Sequence, residues 1–174
     1  NIERAPLAAM TLVQVLRATE LLPIRQGLLV ESLGFATLQA GPEFRAWLAT
    51  RERARSVGSA GPPLRIERAG SMLTITLARP ERRNALSVEI RDALVEALDL
   101  VASDPTIKTA VIDGDGPDFC AGGDLAEFGT APDPATAHAV RSTRSPASAL
   151  VACRHRVDFR VQGACIGAGA ELAA

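Results

Sequence analysis

Seven residues, Val57-Gly58-Ser59-Ala60-Gly61-Pro62-Pro63, constrain the fold of this 174-residue chain more than any others. Small side chains followed by two prolines favour neither helix nor strand, so the stretch reads as a linker. The hydrophobic period changes across it. Before it, Pro6, Pro23 and Pro42 each stand where a helix can begin, since the first turn has no use for the missing N–H. Leu12, Val15, Leu16 and Thr19 recur on one face of the first helix, and Leu28, Leu29, Leu33, Phe35 and Leu38 crowd the second. Gly41-Pro42 breaks the chain, and a third helix runs to the cluster Arg51-Glu52-Arg53-Ala54-Arg55. The expected division is a helical segment over 1–56, a linker over 57–63 and an α/β core over 64–174.

Beyond the linker the pattern becomes that of strands. Residues 64–68 and 72–77 flank Ala69-Gly70-Ser71, a hairpin signature. Ser87 can cap a helix whose first turn carries Glu89, and Ile90, Leu94, Ala97, Leu98 and Val101 form its apolar stripe up to Asp104-Pro105. Thr109–Asp113 reads as a buried strand, a helix is expected within 133–150, and a last strand over Val157–Val161 leads to a glycine-rich turn and a helix near Ala168. Alternating strands and helices on short connections imply right-handed parallel crossovers, hence an α/β fold. The last strand alternates oddly, with Asp158 and Arg160 on one face. Buried there, the two would carry a desolvation cost unless matched.

The net charge of −1 carries no basic footprint for nucleic acid, and no apolar run reaches membrane-spanning length. Cys120, Cys153 and Cys165 form no CxxC pair, which fits a reduced, cytoplasmic setting better than a disulfide framework. His138 and His155 lack ligand spacing, so no metal site is expected.

The chemistry falls on two segments, Phe119-Cys120-Ala121-Gly122-Gly123-Asp124-Leu125 and Gly163 through Leu172. Each follows an expected strand and opens an expected helix. Residues without bulky side chains let main chain approach a ligand, and a helix start offers unpaired N–H groups. Close helix–strand packing would also use such residues. A phosphate cradle is disfavoured, since neither GxxxxGK[ST] nor GxGxxG is present.

Arg79-Pro80-Glu81-Arg82-Arg83-Asn84-Ala85-Leu86-Ser87, then Phe119–Leu125, then Gln162–Leu172, resemble in order and spacing the successive motifs of the crotonase superfamily, the enoyl-CoA hydratases and isomerases. The resemblance implies ββα repeats forming part of a spiral core, and an enzyme of acyl-CoA thioesters. It implies that the N–H groups of Gly123 and Ala168 polarise the thioester carbonyl in an oxyanion hole and that Glu171 is one of two carboxylates that activate water. It places Arg82, Arg83, Ala121, Asp124 and Leu125 along the coenzyme A site. No separate cofactor is implied, coenzyme A arriving with the substrate. The partner is expected to be a second copy, in a trimer or hexamer, or a complementary chain. The resemblance covers somewhat less than half of a family domain, and the second carboxylate falls beyond Ala174. The stretch 22–48 resembles the family's C-terminal helices, which implies a fusion junction, a permutation or a fragment; an unrelated amphipathic helical extension is the alternative. A CoA-binding or subunit-interaction module without catalysis is the alternative.

Overall fold

The computed structural model describes residues 2–51 and 61–174. The first four positions of the expected linker, 57–60, and residues 52–55 of the arginine cluster lie outside the described residues. Two compact units are present, one made of the residues up to 51 with Phe128–Ser145, the other of 61–127 with Pro146–Ala174. Residues 128–145, which the sequence pattern attaches to the α/β core, therefore group with the leading helices.

In the helical unit, α1 (Pro6–Thr19), α2 (Ile24–Gln39) and α3 (Pro42–Ala49) begin at or just after the three prolines. Of the α1 stripe, Val15 and Thr19 turn to α2 and the two leucines do not. Leu12 and Leu16 are exposed, and Thr11, Val15 and Thr19 pack against Gly27 and Gly34. A Cβ on Gly34 would lie 2.8 Å from Val15 Cγ2, so glycine sets how closely the helices approach. Ala5 offers α1 no side-chain cap, and Glu43 of α3 accepts instead from Leu7 N–H at 2.7 Å and Ala8 N–H at 2.9 Å. The helix α5 (Pro134–Thr143) joins α2 through Ser32 Oγ and His138 Nδ1, 2.9 Å apart, and through an Arg141–Glu31 ion pair. Trp47 stacks on Phe44, meets the edge of Phe128, and lies beneath the Arg51 guanidinium at 4.6 Å.

The α/β unit has a four-stranded sheet in the order β1 (Leu64–Ala69), β2 (Met72–Leu77), β3 (Thr109–Gly114), β4 (Val157–Phe159). The hairpin β1–β2 is antiparallel, and β2, β3 and β4 are parallel. The crossover helix α4 (Val88–Ser103) is capped by Ser87, whose Oγ accepts from Ile90 N–H. Its stripe from Ile90 to Val101 is buried against the sheet with Leu73, Ile75, Leu77, Ala110 and Ile112. Each of the leucine, isoleucine and valine side chains among them is worth about 1.5–3 kcal/mol of burial. A single helix over 133–150 does not form. Pro146 cannot donate to an ongoing helix, so the chain breaks at Arg144-Ser145 into α5 and α6 (Pro146–Cys153), which belong to different units. After α6, the Arg156 guanidinium donates to the carbonyls of Ala102, Asp104 and Ile107, tying the end of α4 to the segment that leads into β3. Asp158 and Arg160 are exposed, so the feared desolvation is not incurred. The last helix is α7 (Ala168–Ala173). No helix among the described residues is long and apolar enough to cross a membrane.

Candidate active site

The turn between β2 and α4 is the fixed point of the site. Asn84 is fully buried in the left-handed region at φ 52°, a conformation asparagine tolerates better than most residues. Its Oδ1 accepts from Arg79 N–H at 2.9 Å, and its Nδ2 donates to the carbonyls of Asp115 and Asp118 at 2.9 and 2.8 Å. The Arg79 side chain is buried and donates to the carbonyls of Gly61, Pro62 and Ala78 and to Glu89. One amide thus ties this turn to the segment entering the first small-residue loop.

That loop then runs along two neighbours. On one side Ala121 N–H reaches Arg83 O, Leu86 N–H reaches Gly122 O at 2.7 Å, and Asp124 N–H reaches Leu86 O at 3.1 Å. On the other, Phe119 N–H donates to Gln162 O, Cys120 N–H to Ala164 O, and Ile166 N–H back to Cys120 O. Contact is close enough to require glycine. Gly122 has φ 91°, and a Cβ there would stand 2.9 Å from Ile166 O. Gly163 has φ 56°, and a Cβ would run into the Pro117 carbonyl. The structure therefore brings the two expected loops side by side in one unit. Gly123 and Ala168 each follow the residues in contact, Gly122 and Gly167. Among the described residues, no hydrogen bond takes up the N–H of either.

The charged candidates separate. Asp124 is buried and turned to Arg82, whose Nη2 lies 3.0 Å from Oδ1 and 2.8 Å from Oδ2, the angle favouring a hydrogen bond to Oδ1. Oδ1 also accepts from Ala126 N–H at 2.9 Å. The Asp124 carboxylate thus holds its own loop. Arg83, at φ 53°, has an exposed side chain whose Nε donates to Asp118 Oδ2 at 2.7 Å. Asp118 Oδ1 accepts from Ala164 N–H at 2.7 Å. The Arg83 hydrogen bond, with that amide, holds the Asp118 carboxyl below the ordinary aspartate range. Ala121 is partly exposed and Leu125 exposed at the loop's end. Glu171 is exposed on α7, four residues after Gly167, whose carbonyl accepts its N–H.

Sequence reasoning missed four contributors. Asp118 straps the turn to both loops, and its place directly before Phe119 was the available signal. Asn84 and Arg79 act through main-chain bonds that no periodicity encodes. Glu127, in a short 3-10 turn after the first loop, accepts from Val88 N–H at 2.8 Å at the start of α4, and burial pushes its carboxyl up. Among the described residues, no group of His, Cys, Asp and Glu could hold a metal ion.

Comparison with known proteins gives consistent results. The family model described as enoyl-CoA hydratase/isomerase matches residues 67–174. An enoyl-CoA hydratase of Mycobacterium tuberculosis is 46 % identical over 65 residues, covering 37 % of this chain and 24 % of the relative. The 1,2-epoxyphenylacetyl-CoA isomerase of Escherichia coli is 37 % identical over 106 residues, 59 % of this chain and 40 % of its own. Among solved structures, an enoyl-CoA hydratase/isomerase from Mycobacterium paratuberculosis aligns with TM-score 0.57 at 29 % identity, covering 64 % of this chain and 46 % of that one. An enoyl-CoA hydratase/carnithine racemase from Magnetospirillum magneticum aligns with TM-score 0.58 at 30 % identity, covering 66 % and 44 %. The chain thus spans less than half the length of each of these relatives.

Proposed function

Because the chain belongs to the enoyl-CoA hydratase/isomerase family, we propose that it acts on acyl-CoA thioesters, holding the thioester oxygen between the N–H groups of Gly123 and Ala168. One observation carries the reading: on two loops locked together through Gly122 and Gly163, these two amides have no hydrogen-bond acceptor among the described residues. A preformed donor aimed at a developing oxyanion is worth about 3–4 kcal/mol. As an enolate forms, negative charge moves from the α-carbon onto that oxygen, and the two dipoles favour it more than the neutral carbonyl. Glu171, exposed on the helix that begins at Ala168, is the residue we assign to move the proton or activate water. Hydration of a 2-enoyl-CoA is the favoured reaction. Arg83, with its exposed guanidinium, and Arg82 beside it suit the phosphates of coenzyme A. Ala121 and Leu125 are the apolar neighbours in that assignment. Asp124 serves it indirectly, by fixing Arg82. The setting we assign is cytoplasmic, with assembly into a homo-oligomer or with a complementary chain.

The test is calorimetric titration of crotonyl-CoA, followed by turnover, on the chain and on Ala168→Pro. Proline is tolerated at the first residue of a helix and removes only the donor. Saturable binding with turnover that falls about 100-fold in the variant is the expected result. Turnover left intact by Ala168→Pro overturns the donor assignment. Binding without turnover in the parent chain points to the CoA-binding module instead.

A further inference from the structure

Each small-residue loop carries a cysteine three residues before its assigned amide, Cys120 before Gly123 and Cys165 before Ala168. Neither has a part in the chemistry proposed above. The two are direct partners in an isolated parallel bridge, framed by Cys120 N–H on Ala164 O and Ile166 N–H on Cys120 O, both at 3.0 Å. Bridge partners project to the same side of the pleat, from main chains about 4.8 Å apart. A disulfide accepts Cα separations of about 4.4–6.8 Å, so the backbone already meets its first requirement. Both side chains also pack on one buried cluster. Their accessibility differs in a useful way: Cys165 is partly exposed, whereas Cys120 is 1 % exposed and lies against Gly169. Cys153 stands apart, fully buried in α6 with its Sγ near Leu98 O.

We infer that Cys120 and Cys165 are a reversible disulfide-forming pair that joins the two loops when the protein meets a low-molecular-weight disulfide such as oxidised glutathione. The Cys165 thiolate attacks one sulfur of the oxidant, giving a mixed disulfide and releasing one glutathione thiol. The Cys120 thiolate then attacks the Cys165 sulfur and expels the second glutathione. The two cysteines lose two protons and two electrons, and the oxidant is reduced to two thiols. Burial pushes the Cys120 thiol up, so the second step quickens in alkaline solution. The bond would fix the spacing of the segments that lead to Gly123 and Ala168. This inference goes beyond acyl-CoA handling, and its readout needs no acyl-CoA.

The chain's arginines make the test direct. Tryptic cleavage places the three cysteines in separate peptides, 109–141, 145–154 and 161–174. The folded chain is incubated with oxidised glutathione, denatured, alkylated and mapped by mass spectrometry, beside Cys165→Ala. The expected result is alkylation of Cys153 alone, a peptide 109–141 linked to 161–174, and return of all three thiols after dithiothreitol. Cys165→Ala gives no linked peptide. The inference is overturned if all three cysteines are alkylated after oxidation, if glutathione stays on Cys165 while Cys120 is alkylated, or if the link involves Cys153 or a second chain.

Discussion

Loops 119–125 and 163–167 lie side by side, yet they are held by different means. The first is anchored by its own side chains. Phe119 is buried edge-on to Phe159 at 6.1 Å, Cys120 enters the core, and Asp124 is clasped by Arg82. The second keeps Ile166 and Gly167 exposed, packs a partly buried Cys165 against the core, and otherwise rests on main-chain bonds to the first loop, supplemented by Gln162 Nε2 on Gly114 O and by the Asp118 strap at Ala164. The core therefore shapes the first loop, and the first loop shapes the second. Damage should travel in that direction and not in reverse.

The largest expected effect is Phe119→Ala, which empties a fully buried ring site and costs about 3–5 kcal/mol. Denaturant melts give the cost, and hydrogen exchange should show both loops loosened, at Asp124 N–H and at Ile166 N–H alike. Gly163→Ala comes next, at about 2–3 kcal/mol, because a left-handed backbone must accept a Cβ where the Pro117 carbonyl already sits. Here exchange should quicken at Ile166 N–H and Cys120 N–H while Leu86 N–H and Asp124 N–H stay protected. Loss of protection at all four would break the comparison.

Asp118→Asn sharpens it with a smaller, pH-dependent effect. A carboxyl held below its ordinary range stabilises the fold above that range and loses its contribution as pH falls through the folded value. The melting difference between the parent and Asp118→Asn should be present at about pH 7 and shrink below about pH 3.9. A difference that grows on acidification would refute the strap. Ile166→Ser, on the exposed side of the second loop, should stay within about 0.5 kcal/mol.

The elements of the α/β unit were legible because each is declared locally. The hairpin turn at Gly70, the Ser87 cap and the α4 stripe use signals confined to a few residues. Both glycine-rich loops were legible as loops for the same reason. The grouping of 128–145 with the leading helices was not, since it depends on pairs such as Ser32 with His138 and Phe35 with Phe128 that lie about a hundred residues apart. The α1 stripe was half legible: Val15 and Thr19 do meet α2, but Leu12 and Leu16 stay exposed because two glycines on α2 admit close approach of a threonine–valine face. At the site, residue type marked the loops and the arginines, but Asn84 works on backbone groups that any sequence would supply, and Asp118 joins one such group, Ala164 N–H, to an arginine 35 residues earlier.

Trp47 carries a consequence of a different kind. It is the chain's single tryptophan, the sequence has no tyrosine, and the indole sits in the helical unit among Phe44, Phe128 and Arg51. Intrinsic fluorescence excited in the indole band therefore arises within that unit, since the sheet and both loops carry no tryptophan or tyrosine. Circular dichroism sums over both units. Recorded together on one sample, the two signals make the molecule its own gauge of whether its halves melt as one or in turn.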